Sequence, residues 1–215
     1  MRKIFTLFLS IALYCLFTPG TGLTATYIVE AQNIGDGYYQ WHNGPGKEWR
    51  GSDSYINVSY YSGYEDTGYS QYDLSGAPDP SLIDSVSLNL NLSLKDVYCY
   101  GFIRYLPNAT GANGHASQRL NGTQTVGTIS TASEIGWLSF DVTDLIKTDL
   151  ENGLSWAPFS FHASHSGYTG YRFKSAESGD ASYLEFTYTP VPVPGAAWLL
   201  GSGVIGLAAF RKRRQ

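Results

Sequence analysis

The sequence predicts an all-β protein, an antiparallel jelly-roll β-sandwich with one short helix. Two observations carry most of that expectation. Sixteen of the 17 tyrosines lie between residues 26 and 190, among many Ser, Thr, Asn and Gly, a composition that suits half-buried pleated surfaces. Val86, Leu88, Leu90, Leu92 and Leu94 alternate with Ser85, Ser87, Asn89, Asn91 and Ser93, so residues 84–95 read as a strand with one face on a core. A third observation sets the architecture. Short apolar runs recur between turn signals along the whole segment, the pattern of a sandwich.

Taken in order, residues 27–31 form a first short strand. Residues 33–53 are Gly-rich and polar, and read as a long loop or a hairpin with irregular ends. Residues 55–61 are a strand, 62–68 a turn, and 69–75 another strand. Gly76-Ala-Pro-Asp-Pro80 is a breaker-rich loop. The alternating strand 84–95 is followed by a strand over 97–106 and a polar loop over 107–122. Residues 123–130 and 135–141 are further strands. Apolar residues at 142, 145, 146 and 150 have helical spacing, with Asp141, Thr143 and Asp144 as caps. Residues 156–163, 171–174 and 183–189 bring the total to about nine or ten strands.

Both ends carry targeting signals. Arg2 and Lys3 precede an apolar run over 4–17, which Pro19-Gly20 breaks, and Ala25 is a small residue before Thr26. Residues 1–25 therefore read as a signal peptide for the general secretion machinery. Tyr14 is too large to precede a lipidated cysteine, so Cys15 leaves with that leader. Cys99 then stands alone, as a small buried strand residue or as an intermolecular or reactive thiol. At the other end, residues 191–215 begin with a proline-rich hinge. Residues 193–210 are 18 residues without a charge, roughly 27 Å at helical rise against a ~30 Å hydrocarbon core. Arg211, Lys212, Arg213 and Arg214 favour a cytoplasmic end. Gly201, Gly203 and Gly206 weaken the helix, which suits a temporary inner-membrane tether.

Between these signals, residues 26–190 make one domain, long enough for a real core. It holds all 18 acids and 8 of the 14 basic residues, a net charge of −10. No basic patch exists, so nucleic acid is excluded as a partner. An acidic surface suits solubility and divalent cations.

Two resemblances sharpen the picture. Val191-Pro192-Val193-Pro194, then Trp198-Leu-Leu-Gly-Ser-Gly203 and the Arg/Lys cluster, resemble the PEP-CTERM sorting signal of Gram-negative bacteria that export polysaccharide. Val193 stands where that family has Glu. The resemblance implies processing by an exosortase-type enzyme and delivery to the cell surface or extracellular matrix. Over residues 55–189 three segments are similar to the DNRLRE family of exported β-sandwiches, relatives of carbohydrate-binding modules. They are Gln71-Tyr-Asp-Leu-Ser75 with 83–88, Trp137-Leu-Ser-Phe-Asp-Val-Thr143 with 144–146, and Phe173-Lys-Ser-Ala-Glu177 with 183–188. Ala176 replaces the Arg of the naming motif, and Ala181-Ser182 stand where Pro is usual. This resemblance implies a fold and leaves the activity open.

No catalytic constellation is recognisable. His42, His115, His162 and His165 form no His-Glu-x-x-His, and no Gly-x-Ser-x-Gly occurs. His162 and His165 are three apart, so on a strand they face opposite ways. Flat aromatic faces can stack on sugar rings while carboxylates and amides take up the hydroxyls. Tyr38, Tyr39, Trp41, Trp49, Tyr60, Tyr61 and Tyr64 are the candidate glycan-binding residues, with Tyr168 and Tyr171 from the second half. Ordinary strand and loop packing explains the same rings equally well. Glu30, Asp36, Asp53 and Asp180 are candidate ligands for a structural Ca²⁺, with Glu65, Asp66 and Asp73 near turns; no EF-hand spacing is present. The reading is a non-catalytic, surface-sorted domain of an extracellular polysaccharide or biofilm matrix that binds glycan. A secreted polysaccharide hydrolase or lyase, or a ligand-free structural or adhesion domain, are the alternatives.

Overall fold

The computed structural model describes residues 24–31, 37–41, 47–50, 53–62, 64–106, 124–164 and 169–190; the side chains of Tyr39, Trp41 and residues 47–50 are outside that description. Residues 1–23 of the leader expected over 1–25, the tail expected over 191–215, Asp36 and residues 107–123 also lie outside the described residues. Ala25–Tyr188 forms one compact unit, to which the two chain ends do not belong. Among the described residues no helix is long and apolar enough to cross a membrane.

The unit is all-β. Its strands are β1 (Ala25–Glu30), β2 (Gly37–Trp41), β3 (Lys47–Arg50), β4 (Tyr55–Tyr61), β5 (Tyr64–Asp73) and β6 (Ile83–Lys95) in the first half. The second half holds β7 (Tyr100–Tyr105), β8 (Gln124–Ser130), β9 (Gly136–Asp141), the helix α1 (Thr143–Glu151), β10 (Trp156–Ala163), β11 (Thr169–Lys174) and β12 (Tyr183–Tyr188). The main path runs β1-β12-β6-β11-β4-β5-β10-β7-β8; β2 pairs with β3 and β5, and β9 pairs with β6. All of these pairings are antiparallel.

Long strands make the architecture. β6 pairs with β12 and β11 along its length and with β9 between Ser87 and Leu92. β5 starts beside β4 at Tyr64–Asp66 and continues beside β10 from Gly68 to Asp73. That strand carries the sheet from one half of the molecule to the other. The halves enclose one sandwich-like core: Leu88, Leu90, Leu184 and Phe186 from one side, Ile103, Phe159, Phe161 and Tyr72 from the other. Phe161 and Phe173 meet edge to face at 5.0 Å between centroids. Each such ring or leucine removed from water contributes about 1.5–3 kcal/mol.

Several expectations are corrected. The polar run 62–68 predicts a turn, but the chain re-enters the sheet at Tyr64 because β4, β2 and β10 all supply pairing partners. Residues 97–99 belong to a turn closed by Cys99 N donating to Asp96 O at 3.1 Å, and β7 starts at Tyr100. Of the two readings of residues 33–53 the hairpin is the one present, as β2–β3, and the expected nine or ten strands become twelve among the described residues. The alternation of β6 predicts a wetted polar face, yet Asn89 and Asn91 are buried. Leu94, assigned to the core face, is exposed where β11 pairs irregularly with β6.

The expected helix is present, with a different cap. Val142 holds the N-cap position without a side-chain cap. Asp141 Oδ1 instead accepts from Thr143 N (2.9 Å) and Thr143 Oγ1 (2.6 Å), an Asx turn that starts the first helical turn. Those donors hold the Asp141 carboxyl below the ordinary carboxylate range. Val86 N donates to Thr143 Oγ1 at 2.8 Å, which ties α1 to β6.

Candidate functional site

One end of the sandwich concentrates exposed aromatic rings. β4 and β5 pair antiparallel as far as Tyr61 and Tyr64, which stand directly opposite each other. Their ring centroids are 6.2 Å apart at 50°, and they are 53% and 41% exposed. Strand register brings further segments to the same end. Thr169 pairs with Tyr60, Tyr171 with Lys95, and Asp96 N donates to Gly170 O at 2.9 Å. The turn after β6 therefore lies at the same end as the β4–β5 reversal, with the start of β11 between them. It carries Val97 and Tyr98, at 81% and 77% exposed, and leads to the exposed Tyr100. Thr169 Oγ1 donates to Tyr100 O at 3.3 Å, and the Lys95 ammonium donates to Thr131 O and Ser133 O, which secures the neighbouring turn.

The hairpin β2–β3 reaches this end through Trp41, which pairs with Glu65 on β5. Tyr39 and Trp49 are opposite each other within that hairpin. The other predicted rings have different places. Tyr38 is buried, stacked on Tyr55 at 6.4 Å and 12°. Its hydroxyl donates to Asp53 Oδ2 at 2.8 Å. Burial first, then the Asp53 bond and charge, push the Tyr38 phenol well above its ordinary range. Tyr60 is half-buried and packs on the core, and Tyr171 is fully buried inside it. Tyr168 is outside the described residues.

Carboxylates flank the exposed rings. Thr67 Oγ1 donates to Glu65 Oε1 at 3.2 Å. Asp66 is buried and accepts from Ser59 Oγ (2.8 Å) and from Asn57 Nδ2, while Arg172 Nε donates to Asn57 Oδ1 at 2.9 Å. Asp96 is exposed in the turn. Rings that project from a hydrogen-bonded frame, with acceptors beside them, can stack on a sugar face and take up its hydroxyls. Tyr98 and Tyr100 escape sequence reading because alternation around them looks like strand packing; Asp96 was the turn signal.

Of the candidate Ca²⁺ ligands Asp36 lies outside the described residues, and among the described residues no three His, Cys, Asp or Glu side chains gather. Asp53 is bound by Tyr38, Asp180 pairs with Lys174, and Glu30 stands on β1 in register with Tyr183. His162 is buried with Nε2 3.0 Å from Ser160 Oγ, and Ser160 is fully buried, which leaves a substrate no approach. His42, His115 and His165 lie outside the described residues. The Asp149 carboxyl is buried and raised by desolvation, with the Tyr105 hydroxyl donating to it and opposing that rise. That pair fastens α1 to β7.

Comparison with protein-family models finds no match for this chain, and comparison with curated proteins finds none either, so the geometry of the aromatic end carries the functional reading.

Proposed function

We propose that this chain is an exported, surface-sorted, non-catalytic jelly-roll domain of an extracellular polysaccharide matrix, and that it binds glycan through the tyrosine-rich end of its sandwich. The observation that carries this is the pair Tyr61–Tyr64, half-exposed and in ring contact, with Tyr98 and Tyr100 exposed in and just after the turn at the same end of the sheet. Exposed rings gathered at one end of a domain, rather than scattered singly, are the mark of a binding surface. Glu65 and Asp96 at the same end offer acceptors for sugar hydroxyls. The leader over 1–25 and the tail over 191–215 support export through the secretion machinery, an inner-membrane-tethered precursor and exosortase-type processing.

A glycan array probed with the full chain tests the reading. Binding to at least one neutral or acidic polysaccharide is the expected result. Absence of binding to every glycan would leave only a structural role, and chain shortening of a bound polysaccharide would make the protein a hydrolase or lyase instead.

A further inference from the structure

A second surface lies on the outward face of β12, β6 and β9. Tyr183 stands opposite Asn89 across the β12–β6 pairing, and Trp137 stands opposite Asn91 across β6–β9. β12 and β9 flank β6, so they are separated by about 10 Å, twice the spacing of neighbouring strands. The two rings nevertheless meet, with centroids 5.2 Å apart at 61°. They lean toward each other over β6. This arrangement explains why Asn89 and Asn91 are only 7% and 8% exposed on the polar side of a strand. Trp137 itself keeps 49% of its surface in solvent.

The indole is therefore a held platform. Tyr183 braces its edge or face, and Asn89 below is fixed by donating to Ser87 Oγ at 3.0 Å and to Ser87 O at 3.3 Å. Around it stand hydroxyl and carboxylate groups: Ser139 opposite Asn89, Asp141 opposite Ser87, Glu185 opposite Ser87 on the other side, and Glu30 opposite Tyr183. A half-exposed ring ringed by hydroxyls, amides and carboxylates matches the alternation of C–H faces and hydroxyls along a sugar chain.

Charge selects the occupant. Glu30, Glu185 and Asp141 are acidic, β1, β9 and β12 contain no Lys or Arg, and the one basic residue of β6, Lys95, is engaged by Thr131 O and Ser133 O. A polyuronate would be repelled. A second copy meeting this face through a two-fold axis would set the same carboxylates against themselves. We propose that Trp137, braced by Tyr183 over Asn89 and Asn91, is the stacking platform of a second glycan site that takes a neutral polysaccharide strand. The site shares no residue with the tyrosine end. Two sites on one domain would let it bridge two polysaccharide strands, with avidity beyond either site alone.

Affinity electrophoresis of the full chain through gels containing hydroxyethylcellulose, galactomannan or polygalacturonate tests this. The wild type should be retarded by a neutral polymer and not by polygalacturonate. Trp137→Ala should weaken that retardation by roughly 2- to 13-fold, Trp137→Phe should retain most of it, and Tyr61→Ala with Tyr64→Ala should leave a Trp137-dependent component. An unchanged thermal melt of Trp137→Ala separates lost binding from lost folding. Retardation that survives Trp137→Ala, or that disappears with the tyrosine variants alone, would overturn the second site while leaving the first. Stronger retardation by polygalacturonate, or none by either neutral polymer, would also overturn it.

Discussion

Tyr105 and Asp149 show what a single buried pair does in this core. Asp149 is 4% exposed, and the Tyr105 hydroxyl is its hydrogen-bond donor. Tyr105→Phe keeps the ring against Phe159 but leaves the acid without that donor. The expected loss is about 1.5–3 kcal/mol, as for a hydrogen bond to a charged group; denaturant titration of the variant measures it. Cys99 makes a second residue-scale case. It is buried in the turn before β7, and desolvation first, then Asp96, push its thiol from 9.0 to about 11 against the pull of Lys95. The folded state therefore holds the thiol proton more tightly than the unfolded chain. The resulting stability is fully present below pH 9.0 and is lost as pH rises toward about 11. Cys99→Ala should flatten that part of the stability–pH curve. Iodoacetamide at neutral pH should label the unfolded chain far faster than the native one.

At the scale of elements, Thr143 links strand to helix. Its hydroxyl oxygen accepts from Val86 N while its own N–H and O–H donate to Asp141. Thr143→Val keeps the shape and removes the acceptor, so the variant should lose about 1–2 kcal/mol, whereas Thr143→Ser should lose much less; thermal unfolding of the two decides it. The elements also show what was legible from sequence. β6 was readable because Val86, Leu88, Leu90 and Leu92 alternate locally, and all four are buried. α1 was readable from its apolar spacing, with Ile146 fully buried. The start of β5 was not. Glu65-Asp-Thr-Gly68 has the chemistry of a turn, but its strand state is decided by distant partners. Asn57 and Ser59 satisfy Asp66, and a Cβ at Gly68 would come within 2.6 Å of Ile56 and 2.9 Å of Phe161, so only glycine lets these layers close. The candidate site was half legible for the same reason. Tyr61 and Tyr64 are neighbours in sequence, whereas Tyr98, and the meeting of Trp137 with Tyr183, depend on strand order.

For the whole molecule, destination and binding are separate properties. The tail reading rests on Val191-Pro-Val-Pro194 and on Arg211-Lys-Arg-Arg214. Deleting 211–214 in the native host should impair membrane retention and processing; unchanged surface display with unchanged mature mass would show that the basic end plays no part. The proposed glycan sites both lie in the compact unit Ala25–Tyr188. The most direct measurement compares Trp137→Ala with the triple variant Trp137→Ala, Tyr61→Ala, Tyr64→Ala for affinity to the glycan that the array selects. Each stacking ring is worth about 0.5–1.5 kcal/mol. The triple variant is expected to bind roughly 5- to 150-fold more weakly, from the loss of two such rings, with its thermal melt preserved. Equal affinity of the two folded proteins would contradict the claim that the tyrosine end is where this domain holds its ligand.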